Sequence, residues 1–162
     1  MKELKIEGGV LLLDDRDFDR ISKYKWKFRQ RAIIRVEHSY TRTKFVGIGS
    51  EVLQHYVSEV DHVDRNPFNS QRYNLRPCTD AENARNRRKV ITGTVAPTSK
   101  YKGVRYVKSN ASWRASLTYE GNAVQLGYYN NEINAAIAYN MGAFKYFKEF
   151  ANYNPLPTVF SI

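Results

Sequence analysis

The chain has 162 residues, 42% of them apolar and 14% aromatic, enough for one domain or two small ones with packed cores, which argues against wholesale disorder. Its formal net charge of +10 favours a polyanionic partner, nucleic acid ahead of a membrane surface, through electrostatic steering and counterion release. One cysteine, Cys78, excludes an intrachain disulfide and a Cys-pair zinc site, and the N-terminal stretch MKELKIEGGVLLLDDRD matches neither a signal peptide nor a membrane span, so a soluble, unexported protein of a reducing cytosol is expected.

Residues 1–50 read mostly as strands, over Leu4–Ile6, Val10–Leu13, Lys25–Arg29, Ala32–Glu37 and Tyr40–Ile48, with Gly8-Gly9 as a turn. A helix from about Asp15 to Lys23 interrupts them: acids open it, Lys23 closes it, and Phe18, Ile21 and Tyr24 recur at helical spacing. The acids read as helix-start residues. A second helix over 80–89 is signalled by Thr79 and Glu82, the reciprocal pattern of a capping box.

Residues 91–100 carry Gly, Pro, Thr and Ser without periodicity and read as a linker. Three strand-like runs follow, Gly103–Val107, Trp113–Tyr119 and Ala123–Tyr128, then one helix from about Asn131 to Phe147. Trp113, Ala115 and Leu117 alternate with Arg114, Ser116 and Thr118, which gives the sheet one apolar and one polar face. The helix is expected to cover the apolar face with a stripe of Ile133, Ile137, Met141 and Phe144, while Ala135, Ala136 and Ala138 permit close approach. Trp113 and Tyr139 are assigned to the core. The expected class is α+β: a β-rich N-terminal region leading into a ββα-metal module, together residues 1–90 with the module at 51–90, then a three-stranded antiparallel sheet packed on one helix over 101–154, and a tail over 155–162.

The decisive stretch is EVDHVDRNPFNSQRYNLRPCTDAENARNRRK, in which Asp61-His62, Asn74 and Asn83 form a spaced set. It resembles the HNH endonucleases of phages and mobile introns. That resemblance implies that Asp61 and Asn83 are oxygen ligands to one divalent ion, that His62 is the general base, and that Asn74 ties down the loop. A base for the attacking water and positive charge at the phosphate are what phosphodiester hydrolysis requires. Oxygen donors favour Mg²⁺, with Mn²⁺ as a substitute, over zinc. Asp61 and His62 are neighbours and point to opposite sides of a regular strand, so both reach one site only if the strand ends or bulges there. Where the family often has Asp-Asn-Arg before the central Asn, this chain has Asn69-Ser70-Gln71, which removes an ion pair expected to brace the loop. His55 and Cys78 are read as structural and His38 receives no role. Arg85, Arg87 and Arg88 are candidate phosphate contacts, or alternatively complements to the dipole of the helix they close.

The stretch YKGVRYVKSNASWRASLTYEGNAVQLGYYNNEINAAIAYNMGAFKYF resembles the Apetala-type, or ethylene-response-factor, DNA-binding domain, which also occurs fused to phage HNH nucleases. The resemblance implies that the sheet lies in the major groove and that Lys102, Arg105, Ser116, Thr118 and Gln125, together with Arg114, face the duplex. Positions that carry Arg or Trp in the plant domain are here Val107, Thr118 and Gln125, so a different base preference is expected.

These readings make the chain a metal-dependent endonuclease acting on double-stranded DNA in the cytoplasm of a bacterial or phage-infected cell. The rival is a DNA-binding regulator with a vestigial nuclease module, and an RNA-binding module ranks last because the aromatics alternate inward. No coiled coil forces dimerisation, so a monomer is expected, with a dimer as the alternative.

Overall fold

The computed structural model describes residues 1–56, 59–87 and 98–157. The chain is a mixed α+β protein of small antiparallel sheets, divided between Ala84 and Arg85 into two units that are described separately. Among the described residues no helix is long and apolar enough to cross a membrane.

In the first unit, β1 (Lys2–Ile6) and β2 (Gly9–Leu13) form a tight hairpin. Alternation along β2 turns Leu11 and Leu13 fully inward. Helix α1 (Asp15–Ile21) follows, then an antiparallel sheet of β3 (Lys27–Arg29), β4 (Ala32–His38) and β5 (Thr43–Gly47). The run expected to be strand through Ile48 instead turns into a short helix, α2 (Ile48–Leu53), which periodicity over so few residues did not reveal. A second antiparallel pair, β6 (Glu59–His62) and β7 (Leu75–Cys78), is followed by α3 (Asp80–Asn86). One core of Leu11, Leu13, Ile21, Trp26, Ile33, Ile48, Val52 and Leu75 ties these elements together. Gly49 lets α2 lie close on β6, because a Cβ there would come within 2.7 Å of the Val60 side chain.

The acids of α1 do more than start a helix. Asp17 is buried and takes two bonds of 2.8 Å from Arg72 and one of 2.7 Å from Arg20. Arg20 continues to Glu51, which also binds Arg35, and both Arg20 and Arg72 donate to the carbonyl of Val52 at the end of α2. The Arg72 hydrogen bonds hold the Asp17 carboxyl below its ordinary value of 3.8 against the opposing effect of burial. Burial pushes the Glu51 carboxyl up, but Arg35, with Tyr56 and Arg20, together outweigh it and the net direction is down.

In the second unit, β8 (Val104–Val107), β9 (Ser112–Tyr119) and β10 (Asn122–Tyr129) form one antiparallel sheet in the order β10-β9-β8. Glu120 and Gly121 both take positive φ, as a two-residue hairpin turn that follows strand twist requires. Helix α4 (Glu132–Phe147) starts at an Asn131 cap that accepts from the Asn134 N–H at 2.8 Å. It packs on the sheet through Ala135, Ala136, Tyr139, Ala143 and Phe147 against Val104, Ala115 and Leu117.

This corrects the expected helix stripe: Ile133, Ile137, Met141 and Phe144 are 41%, 40%, 69% and 72% exposed. Two apolar arcs run along α4, and the one that faces the sheet has alanines at 135, 136 and 143 that allow close approach, with Tyr139 and Phe147 filling the space beside them. Gly103 serves the same fit. Its φ is +71°, and a Cβ there would come within 2.1 Å of Tyr139. Trp113 and Tyr139 pack in this core as expected. The chain after α4 is clamped by Asn154, which exchanges hydrogen bonds with the Lys102 backbone and with Asn140. The expected linker at 91–100 falls largely outside the described residues, as do positions 88–89 of the expected second helix.

Because the Asp17 carboxyl is depressed in the folded chain, its contribution is present above the ordinary carboxylate value and lost as pH falls below it. Asp17→Asn should destabilise the protein at pH 7 by about 2–4 kcal/mol, shifted down from the ~3–5 kcal/mol of a fully buried pair because both arginines keep some water contact. Urea denaturation should show the gap between wild type and variant closing as pH drops below 3.8.

Candidate functional site

His62 is the last residue of β6 and is still paired in register with Leu75, without a bulge, so the backbone does not bring Asp61 and His62 to the same side of the strand. Alternation sends Glu59 and Asp61 to one side of β6, and Val60 and His62 to the other. Asp61 is buried, and its Oδ2 accepts from Arg76 Nε at 3.0 Å and Nη2 at 2.7 Å, Arg76 being its register partner on β7. His62 stands over the loop of residues 63–74, with Nε2 3.5 Å from Ser70 Oγ. Burial pulls the imidazole below its ordinary value of 6.5, and the Asp64 and Asp61 charges offset this only in part. The ring is therefore neutral at pH 7, the form that accepts a proton.

The loop is organised by Asn74, which is 1% exposed. Its Oδ1 accepts from the Asp64 N–H at 2.9 Å, while Nδ2 donates to Asp64 Oδ1 at 2.9 Å and to the Asn69 carbonyl at 2.7 Å. Its backbone closes the same loop, donating to the Gln71 carbonyl and accepting from Val63. Burial pushes the Asp64 carboxyl up, but bonds from the Asn66 backbone, Asn69 and Asn74 outweigh it and leave it lowered.

The ion pair expected to be lost with Asn69-Ser70-Gln71 has replacements. Asn69 Nδ2 bonds Asp64 Oδ2 at 2.8 Å and Tyr73 Oη at 3.1 Å. From outside the loop, Asp14 accepts from the Arg72 N–H at 2.8 Å, Arg72 pairs with Asp17, and the β2 backbone at Leu12 bonds Phe68 and Ser70 at 2.8 and 3.0 Å. The N-terminal region thus forms the wall behind the loop.

The capping box is formed: the Thr79 N–H donates to Glu82 Oε2 at 2.8 Å, and the Glu82 N–H donates to Thr79 Oγ1 at 3.2 Å. One turn into α3, Asn83 Nδ2 donates to Glu59 Oε2 at 3.2 Å, beside the strand that carries Asp61. Cys78 is buried at the strand end and its thiol is pushed up to about 11, chiefly by burial, which makes it inert. Among the described residues, no three His, Cys, Asp or Glu side chains are grouped to hold a metal. The donors singled out by sequence, the Asp61 carboxylate and the Asn83 carboxamide, are all oxygen. That set fits Mg²⁺, which takes one or two protein ligands and completes its shell with water and substrate phosphate.

In the second unit, Arg105, Arg114 and Tyr128 lie directly opposite one another across the three strands on the face away from α4. Ser116 opposite Gln125, and Thr118 opposite Ala123, continue the same face. Five of the six predicted sheet residues are therefore together, and Tyr128 joins them. Two like charges directly opposite destabilise a sheet, and neither Arg105 nor Arg114 has an ion pair among the described residues. Lys102 is not on that face. It precedes β8, and its Nζ donates to the carbonyls of Arg85 and Arg87 at 2.6 and 2.7 Å. The Arg85 guanidinium lies over the Tyr119 and Phe147 rings, 5.2 and 5.3 Å from their centroids, which is a packing role. Arg87 is exposed, and Arg88 lies outside the described residues.

Sequence reasoning missed Glu59, Asp64, Ser70 and Arg76. Period-2 spacing from Asp61 could have flagged Glu59, whereas Arg76 needs the β6–β7 register. Compared with family models, curated proteins and solved structures, the chain gives no match.

Removing the Asn74 side chain would leave the Asp64 N–H and the Asn69 carbonyl without partners. Asn74→Ala should therefore cost about 2–4 kcal/mol in chemical denaturation.

Proposed function

We propose that the chain is a metal-dependent HNH-type endonuclease that hydrolyses phosphodiester bonds in double-stranded DNA and docks on the duplex through its C-terminal sheet. The observation that carries this reading is the succession of β6, β7 and capped α3, with His62 at the end of the strand and the oxygen donors Asp61 and Asn83 on strand and helix.

In this reading Asp61 and Asn83 hold a divalent ion, Mg²⁺ or in its place Mn²⁺. The bound ion supplies positive charge where negative charge builds on the phosphate and the leaving oxygen. His62 takes the proton of the water whose oxygen attacks phosphorus, and the bond from phosphorus to the leaving deoxyribose oxygen breaks. Asn74 holds the loop so that His62 keeps one orientation. Arg105 and Arg114, unneutralised on an open sheet face, contact phosphates or guanine edges, and Gln125 suits adenine. One site per chain cuts one strand per encounter.

A second reading, a DNA-binding regulator whose nuclease module no longer cuts, is favoured by one observation: Arg76 already engages the Asp61 carboxylate.

Supercoiled plasmid separates the two. The nuclease reading expects nicked or linear product with Mg²⁺ or Mn²⁺, none with EDTA, and a loss of about 10²–10⁴-fold in His62→Ala, the range for a general base. Uncut plasmid with intact DNA binding establishes the regulator. For the sheet, Arg105→Ala and Arg114→Ala should each weaken binding and reduce the slope of log K against log salt by about 1 where the lost contact is to phosphate. A change confined to one base position in site selection instead assigns that arginine to base reading.

A further inference from the structure

From the contacts of Glu59 we infer that this residue is the positioning residue of the site, holding Asn83 by the amine end of its amide so that the carbonyl oxygen is the end presented to a cation. The inference rests on the proposed metal site and concerns a residue that the resemblance does not supply.

A carboxamide has two chemically opposite ends that are nearly equal in shape, so an Asn at a cation site works only if its neighbours choose the end. The oxygen is a hard ligand, and the NH₂ group repels a cation. An ionised carboxylate only accepts hydrogen bonds, so a carboxylate beside an Asn selects the NH₂ end for itself. Here Asn83 Nδ2 donates to Glu59 Oε2 at 3.2 Å. No other bond of the Asn83 side chain competes for that choice among the described residues.

The placement follows from three local constraints. Glu59 is paired in register with Cys78, the last residue of β7. Thr79 and Glu82 then fix where α3 begins through their reciprocal bonds, and the Asn83 N–H closes the first turn on the Thr79 carbonyl at 2.9 Å. Asn83 thereby comes over the strand at Glu59. Because side chains alternate along a strand, Glu59 shares its side of β6 with Asp61, two residues on. The carboxylate that orients Asn83 and the carboxylate proposed as a ligand are therefore on one side of one strand. Glu59 is exposed, so its replacement leaves the core intact.

Orientation and charge make different demands on the side chain at 59. Gln keeps an acceptor oxygen without the charge, Ala removes both, and Lys reverses the polarity, donating to the Asn83 oxygen and turning the NH₂ group toward the site.

The test is Mn²⁺ binding to the full chain, followed by loss of the free-ion electron paramagnetic resonance signal, with circular dichroism melts to verify folding. Glu59→Gln should bind within about 2-fold of wild type and Glu59→Ala about 10-fold more weakly, the lower end of the range for partners that orient metal ligands. Glu59→Lys should be at least as weak as Asn83→Ala. Equal losses in the Gln and Ala variants would mean that charge, or direct ligation, is what Glu59 contributes, and would overturn the positioning role. An Ala variant with wild-type affinity overturns it as well. Failure of the underlying site reads differently: Mn²⁺ binding that is absent in wild type, or unchanged in Asp61→Ala and Asn83→Ala, overturns the metal site itself.

Discussion

Everything around the candidate site depends on a single buried amide. Asn74 uses its side-chain oxygen, both side-chain protons and both backbone groups within the span from Val63 to Gln71, so the loop between β6 and β7 has one way to close. A buried polar group with every partner supplied specifies a conformation, because any alternative leaves several groups unsatisfied at about 1–3 kcal/mol each. His62 inherits its fixed surroundings from that closure, and Ser70 and Asp64 face the imidazole for the same reason.

The loop is in turn held from outside by the N-terminal region. Asp14 and Asp17 take the backbone and guanidinium of Arg72, and β2 lends its backbone to Phe68 and Ser70. Residues separated by more than fifty positions thus meet in one charged network, and Leu75 joins the same hydrophobic core as Leu11 and Leu13. The first fifty residues are part of the scaffold of the site, and the Arg72–Asp17 pair replaces bracing that a local ion pair in the loop would have supplied.

The second unit follows a different logic. Its helix packs on one face of the sheet through Ala135, Ala136, Tyr139, Ala143 and Phe147, and Arg105 and Arg114 lie on the other face. That face carries two arginines directly across from each other, an arrangement unfavourable for the isolated sheet and suited to a polyanion. Ile133, Ile137, Met141 and Phe144 stay outside because the face of α4 toward the sheet is occupied by Ala135, Ala136, Tyr139, Ala143 and Phe147.

By itself the sequence determined the local events: the β9 alternation, the Thr79–Glu82 cap, and the strand and helix order of the C-terminal unit. Each depends on residues within a turn or a strand of one another, so spacing carries the information. Tertiary structure decided which of the two apolar arcs of α4 is buried, because that choice depends on how closely a sheet and a helix can approach. It decided that Asp17 is an anchor rather than a helix-start charge, that Lys102 turns away from the sheet face to the Arg85 and Arg87 carbonyls, and that Glu59 and Arg76 flank Asp61. All four depend on partners brought together by strand register or by the packing of distant segments, and neither is written in the spacing of the chain.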